Sequence, residues 1–246
     1  MDLDDILICG KVKRARRLLV YGVPGIGKTT FASKAPDCIF LPTEDGSWDL
    51  DVKRTPLIED PSQLIDYIDM IICKNAHKNV ILDTIDGLEP LIWKMVVDQI
   101  NAKEGKEYKV ISDIGWQQGY DNAAIKWGRL LRTQFDRLIR HGINVILLGH
   151  SDVAKFTPPD GDGYSMYTPR VHKKATYEIT AWCDEVLFAN FVTKTIKGAN
   201  NKVQAIGKGE RVMYCQPKPH FDVKNRLNLP AELPFDYDEY AQFLGA

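Results

Sequence analysis

Short apolar runs recur along the chain and alternate with segments whose apolar residues have helical spacing. Five runs have the length and the near-continuous hydrophobicity of buried strands, at residues 18–21, 38–41, 79–82, 143–148 and 185–191. Strands that are apolar on both sides are typical of a parallel sheet that helices cover on both faces. The pattern therefore predicts an α/β fold in which a mostly parallel sheet is flanked by helices.

Two of the intervening segments carry distinct helix signals. Asp60 precedes Pro61, which is the order of a capping residue followed by a proline in the first helical turn. The pair His141-Gly142 is a typical helix end. The apolar positions at helical spacing are Leu64, Ile68, Ile71 and Ile72 in the first segment, and Trp127, Leu131, Phe135, Leu138 and Ile139 in the second.

The remaining segments complete a single predicted domain over residues 1–246, in which residues 1–17 are a lead-in. Residues 101–120 and 152–174 interrupt the alternation and are predicted to be long loops, which are often functional. Residues 193–246 are more polar and punctuated by glycine, which predicts antiparallel edge strands or a hairpin, followed by a short helix at 237–244.

Composition limits the partners and the cellular compartment that we expect for the protein. The net charge of −1 excludes global basicity, so any surface for nucleic acid must be local. The five cysteines form no C-x-x-C pair and suggest a reducing compartment. The acidic start MDLDDILICG does not resemble a signal peptide, and no apolar run approaches the ~18 residues of a membrane span. We therefore expect a cytoplasmic protein that has no membrane partner.

A complete phosphate-loop pattern follows the first predicted strand. Residues 22–29, GVPGIGKT, match G-x-x-x-x-G-K-[ST] at every fixed position. Glycines let the backbone approach an anion closely, and successive N–H groups then form a nest for it. In such loops the lysine reaches the β- and γ-phosphates and the hydroxyl binds Mg²⁺, roles that fall here to Lys28 and Thr29. The predicted nucleotide site comprises Gly22, Val23, Pro24, Gly25, Ile26, Gly27, Lys28, Thr29 and Thr30.

Asp83 ends the apolar run in NVILDTIDGL and is the predicted second Mg²⁺ residue. A carboxylate in this place holds Mg²⁺ through water in phosphate-loop enzymes, although an acid at a strand end can also cap a helix. Asp86 is instead predicted to be the N-cap of the next helix, because Asp86-Gly87-Leu88-Glu89 has the form of a capping box.

The order GVPGIGKTT … FLPTEDG … VILDTIDGL … VILLGHSD resembles the RecA/RadA recombinase ATPase core. It is more similar still to the compact phage ATPases of that class, the Sak-type single-strand annealing proteins. The resemblance runs from residue 18 to about residue 230. It implies a RecA-like P-loop NTPase fold, ATP and Mg²⁺ as cofactors, and ATP hydrolysis.

The resemblance also implies roles for single residues. Glu44, in the turn PTEDG, would polarise the attacking water, the alternative being an exposed acid of the turn. It is preferred to Asp45 by alignment alone, because Pro42 stands where the family usually has Asp. His150 would sense the γ-phosphate, the alternative being a structural histidine. Two cations, Lys224 and Arg226, would reach the nucleotide of a neighbouring subunit, the alternative being ordinary surface cations.

Residues 152–174 fall where RecA-class proteins have a DNA-binding loop, and residues 101–120 are a weaker counterpart of a second one. Cations interleaved with aromatic rings suit single-stranded DNA, whereas a lid over the nucleotide is the alternative. The predicted contacts are Lys155, Phe156, Tyr167, Arg170, His172, Lys173 and Lys174. The implied partners are single-stranded DNA, further copies of the chain in a ring or filament, and a single-strand binding protein.

Three functions remain open from the sequence. The first is a DNA-stimulated phage ATPase of recombination or annealing, in the cytoplasm of the bacterial host. The second is a nucleotide-gated switch or loader for a replication protein, with little turnover. The third is a small-molecule kinase, which the single arginine of the 152–174 segment disfavours.

Overall fold

The computed structural model describes residues 2, 5–10, 12–159, 161–197, 203–206 and 209–244. The strands are β1 Arg17–Gly22, β2 Cys38–Pro42, β3 Asn79–Asp83, β4 Asn144–Phe156, β5 Tyr164–Pro169, β6 Glu185–Phe191, β7 Lys194–Lys197, β8 Val203–Ile206, β9 Arg211–Tyr214 and β10 Glu232–Pro234. The helices are α1 Lys28–Ser33, α2 Pro61–Lys74, α3 Ile85–Glu104, α4 Gln118–Arg129, α5 Asp136–Arg140, α6 Lys173–Trp182 and α7 Tyr237–Ala241. A π-helical segment, Leu130–Phe135, joins α4 to α5.

The main sheet has the strand order β10-β9-β6-β1-β4-β3-β2, and β5 pairs with β4 alone. The five strands predicted from apolar runs are β1, β2, β3, β4 and β6, and they pair with one another in parallel. At the β6 edge, β9 and β10 are antiparallel. This arrangement confirms the predicted α/β fold with antiparallel strands at its C-terminal end.

Alternate residues of the strands fill two cores, one on each face of the sheet. In β1, Leu19 and Tyr21 pack into a core with α2, α3, α4 and α6, whereas Leu18 and Val20 pack into a core with α1 and α7. All four side chains are almost completely buried. Burial on both faces explains why these strands are continuous apolar runs in the sequence.

The predicted loop at 152–174 is wrong, because most of it is regular structure. β4 continues beyond the sheet to Phe156, the chain turns, and β5 returns antiparallel to it, with a register from Ser151↔Pro169 to Phe156↔Tyr164. The two strand segments, residues 151–156 and 164–169, form what we call the arm. α6 then begins at Lys173. Exposure of most of the arm's β4 segment hid this strand from an analysis based on apolar runs.

The other predicted boundaries shift by smaller amounts. The segment 101–120 contains the end of α3, a 3₁₀ turn at Ile111–Asp113 and the start of α4, so the connection is shorter than predicted. The C-terminal region contains the predicted hairpin, β7 with β8, as a separate two-stranded sheet. α7 ends at Ala241, before the predicted residue 244. Among the described residues, no helix has the length and hydrophobicity needed to cross a membrane.

Candidate functional site

The carboxyl ends of four parallel strands meet at one edge of the sheet. Gly22 at the end of β1 pairs with His150 of β4, and Pro42 at the end of β2 pairs with Asp83 of β3. The phosphate-loop pattern, the Asp83 carboxyl and the acidic turn after β2 are therefore neighbours. The open edge where parallel strands end is where ligands bind in α/β sheets.

Three glycines of the loop have distinct structural roles. Gly25 and Gly27 have φ angles of 75° and 97°, a left-handed conformation that glycine adopts without strain. A Cβ atom on Gly22 would lie 2.3 Å from the carbonyl oxygen of Ala189, so only glycine lets β1 and β6 approach this closely. The loop pattern thus reflects backbone geometry at each of these positions.

Lys28 begins α1 with its side chain only 6% exposed. Its ammonium donates to the carbonyl oxygens of Gly22 and Val23, at 3.3 and 3.4 Å. Burial lowers the pKa of Lys28, and the carboxylates of Asp86, Asp83 and Glu44 oppose that shift. The lysine is therefore held inside the loop and faces a group of acids.

Three oxygen atoms converge beside Gly46. A Cβ atom on Gly46 would lie 3.8 Å from Oδ2 of Asp83, 3.8 Å from Oγ1 of Thr29 and 3.9 Å from Oε1 of Glu44. Oδ2 of Asp83 is buried without a hydrogen-bond partner among the described residues. Burial raises the pKa of the Asp83 carboxyl to about 6; the Thr29 hydroxyl opposes the rise and the Glu44 carboxylate adds to it. A buried carboxylate oxygen without a hydrogen-bond partner, close to a hydroxyl, fits the oxygen preference of Mg²⁺.

The turn after β2 separates its two acids. Asp45 is exposed and its carboxylate accepts a hydrogen bond of 2.9 Å from Nε1 of Trp48, whereas Glu44 lies beside the oxygens of Thr29 and Asp83. The turn is fixed by Thr43, whose hydroxyl donates to the carbonyl oxygen of Thr84 at 2.8 Å and accepts from its N–H at 2.7 Å. The geometry therefore favours Glu44 over Asp45 for contact with a bound nucleotide.

Asp86 is part of the site, and the prediction that it caps α3 is wrong. Thr84 is the N-cap, and its hydroxyl accepts the N–H of Gly87. The Asp86 carboxylate instead accepts the backbone N–H of His150 at 2.9 Å, lies 2.9 Å from Nδ1 of that histidine and pairs with Arg170 at 2.8 Å. These bonds hold the pKa of Asp86 well below its usual range despite burial. Atoms of Glu44, Asp86 and His150 lie within 4.8 Å of one another.

A cleft of about 460 Å³ opens next to this cluster, between one face of the arm, α3 and the start of α6. The described residues that line it include Trp93 and Met166 and five of the seven predicted DNA contacts: Lys155, Phe156, Arg170, His172 and Lys173. Arg170 both pairs with Asp86 and lines the cleft, so it joins the cleft to the strand-end cluster.

The other two predicted DNA contacts have partners within the chain. The ring of Tyr167 stacks on Phe188 at 4.8 Å, on the face of the arm that is turned to the core. Lys174 pairs with Asp121. His172 lines the cleft, but its ring stacks on Tyr120 at 4.3 Å and it caps α6. These contacts favour structural roles for Tyr167 and His172, whereas the pair of Lys174 with Asp121 lies at the surface.

Glu89 was missed by the sequence analysis, which considered it as part of a capping box. Its side chain lies in the floor of the cleft, is 5% exposed, and accepts the N–H of His172 on both carboxylate oxygens at 3.0 Å. Burial raises the pKa of Glu89 to about 7. The Asp86 carboxylate adds to this rise, whereas the hydrogen bond from the N–H of His172 lowers the pKa. Its position on the apolar stripe of α3, between Leu88 and Ile92, is the sequence signal that could have revealed it.

Lys224 and Arg226 make contacts within the chain, away from the loop. The Lys224 ammonium donates to three carbonyl oxygens at the end of α6, those of Thr180, Ala181 and Cys183. An ammonium has three donors, so these contacts weigh against a second role for Lys224. Arg226 pairs with the buried Asp184 at 3.0 Å and remains half-exposed. Its role at a neighbouring subunit stays a prediction.

The comparison with known families agrees with this geometry. The family model of the AAA domain matches residues 14–227, which include the loop, the strand-end acids and the cleft. No curated protein matches the chain. The match covers most of the 246 residues, and the phosphate loop lies inside it. The chain therefore belongs to the AAA domain family of P-loop ATPases, which bind and hydrolyse nucleotides, typically with Mg²⁺.

Proposed function

We propose that the protein is a RecA-like ATPase of the phage single-strand annealing type, and that it couples ATP hydrolysis to single-stranded DNA. The observation that carries this proposal is the position of Arg170. Its guanidinium pairs with Asp86 in the strand-end cluster, and the same side chain lines the cleft under the arm. A ligand in the cleft and a nucleotide in the loop would therefore share one cation.

The strand-end residues have complementary roles in hydrolysis. Glu44 accepts the proton of a water that attacks the γ-phosphorus, and the bond to the bridging oxygen of ADP breaks. Lys28 and the loop N–H groups bind the phosphate oxygens. Thr29 and Asp83 would hold Mg²⁺, which would supply positive charge against the phosphate oxygens. The Asp86 carboxylate lies 2.9 Å from Nδ1 of His150 and would fix the ring that is proposed to sense the γ-phosphate.

Cations and an aromatic ring in the cleft support the choice of DNA. Lys155, Phe156, Arg170 and Lys173 are all exposed along it. The cations suit phosphates, and Phe156 is 43% exposed and can stack on a base. Because the net charge of the chain is −1, DNA binding would depend on this local group of cations. Contacts between cations and phosphates weaken as salt increases, so the affinity for DNA should be sensitive to salt.

ATP hydrolysis measured with and without single-stranded oligonucleotide tests the proposal. Stimulation by DNA is the expected result. Slow turnover that DNA does not change would favour a nucleotide-gated switch or loader. Release of ADP that depends on a small-molecule acceptor would instead favour a kinase whose acceptor occupies the cleft.

Fluorescence anisotropy with a labelled oligonucleotide and an ATP analogue tests the cleft itself. In the double variant Lys155→Gln/Lys173→Gln, the negative slope of log affinity against log salt should become shallower by about 0.7 for each phosphate that the protein no longer neutralises. Lys94→Gln is the matched control, because this lysine is exposed on α3 and pairs with Asp98 outside the cleft. Equal slopes for the double variant and the wild type would contradict DNA binding in the cleft.

We propose that identical chains assemble into a closed ring or an open filament. In this assembly Arg226 of each chain contacts the nucleotide bound to the adjacent chain. Arg226 is the better candidate of the two predicted cations, because its side chain is 53% exposed and has further donors. Light scattering with and without an ATP analogue measures the assembly. A monomer under both conditions would contradict it.

A further inference from the structure

Arg211, the first residue of β9, lies against the phosphate loop although it is 185 positions from it in the chain. Its Nη1 atom donates to the carbonyl oxygen of Ile26 at 3.3 Å. A Cβ atom on Gly27 would lie 2.7 Å from the same nitrogen. The left-handed backbone of Gly27 favours glycine, and the Arg211 guanidinium lies directly over this position.

The antiparallel edge of the sheet brings Arg211 to this place. β9 pairs with β6 in the register Phe191↔Arg211, so β9 begins at the edge where the parallel strands end. β6 and β4 lie on opposite sides of β1. Arg211 therefore flanks the loop on one side, whereas Glu44, Asp83 and His150 flank it on the other.

The Arg211 guanidinium is available to an anion. It is exposed, and no carboxylate of a described residue lies within salt-bridge distance of it. In contrast, Arg16 and Arg170, which also lie in or beside the sheet, are paired with Glu185 and Asp86. A guanidinium has five N–H donors in a fork that matches phosphate oxygens.

We infer that Arg211 is a further nucleotide-binding residue, which holds the α- and β-phosphates from the side of the loop opposite the γ-phosphate cluster. The inference rests on the proposed nucleotide site and adds the C-terminal strands to it. Because ADP and ATP share these two phosphates, Arg211 stabilises both complexes to the same extent. The residues around Asp83 and Glu44, in contrast, act on the triphosphate end.

Titration with fluorescent N-methylanthraniloyl derivatives of ATP and ADP tests the inference. Arg211→Gln should weaken both nucleotides by the same factor, about tenfold to a hundredfold, as expected for a charge-assisted hydrogen bond. kcat/KM should fall by that factor as well. Arg132→Gln is the matched control, because this half-exposed arginine pairs with Glu178 far from the loop.

The outcomes separate this inference from the nucleotide site as a whole. Wild-type affinity of Arg211→Gln for both nucleotides overturns the inference, and so does a loss confined to ATP, which would place the guanidinium at the γ-phosphate. If Lys28→Ala also binds both nucleotides normally, the proposed nucleotide site itself is wrong. Should a thermal melt show Arg211→Gln unfolded, Arg211→Lys decides: the inference requires at least a threefold loss for both nucleotides, because lysine lacks the fork.

Discussion

Glu89→Gln should remove a pH dependence of stability that the buried carboxyl imposes. Its pKa of about 7 in the folded protein, against an ordinary value of 4.5, means that folding favours the protonated acid. A group whose pKa is raised by folding stabilises the folded state fully when the pH is below its pKa in the unfolded chain. This stabilisation is lost as the pH rises through its pKa in the folded protein. At about 1.4 kcal/mol per pKa unit, the wild type should lose about 3 kcal/mol relative to the variant between pH 4.5 and 8.

Urea denaturation of both proteins at intervals across this range measures the difference in unfolding free energy. Groups common to both proteins, such as Asp83, cancel in the difference. Glu104→Gln is the control, because this glutamate is exposed at the end of the same helix and its replacement should change the free energy of unfolding little. A difference between wild type and Glu89→Gln that stays constant with pH would refute the reasoning about burial.

Three further predictions test other parts of the structure. Lys28→Ala should abolish ATPase activity in a steady-state phosphate-release assay while the circular dichroism spectrum stays native, and turnover near the wild-type rate would contradict the loop assignment. Asp83→Asn should raise the Mg²⁺ concentration needed for half-maximal activity, whereas an unchanged Mg²⁺ titration would exclude this carboxyl as a metal residue. Tyr167→Ala should cost about 2 kcal/mol in urea denaturation, because its ring packs on Phe188, whereas Phe156→Ala on the exposed side should cost far less.

Local patterns in the sequence predicted the parts of the site that depend on neighbouring residues. The loop at 22–29, the strand that ends in Asp83 and the parallel arrangement of five strands all follow from short motifs and apolar runs. Parallel strands all end at the same edge of their sheet, so the topology brings the residues at their carboxyl ends together. Asp83 could be placed at this edge from its apolar run, whereas Glu44 and His150 were placed there only by the resemblance to the RecA ATPase core.

Residues whose role depends on distant partners could not be assigned in this way. Asp86 resembles a helix cap in the sequence, and its true partners, His150 and Arg170, lie 64 and 84 positions away. Arg211 has no local motif, because antiparallel pairing of β9 with β6 brings it to the loop. The arm was hidden because most of its β4 segment is exposed.

Glu44→Gln is the measurement that tests the central claim most directly, namely that the loop and the strand-end acids form an ATP-hydrolysing centre. The amide keeps the shape of the side chain but cannot accept the proton of the attacking water. The variant should therefore bind an ATP analogue as the wild type does, while single-turnover hydrolysis falls by about 10²- to 10⁴-fold. Asp45→Asn is the matched control and should hydrolyse ATP normally, because Asp45 bonds to Trp48 away from the cluster. Wild-type hydrolysis by Glu44→Gln, or a loss in Asp45→Asn instead, would contradict the account.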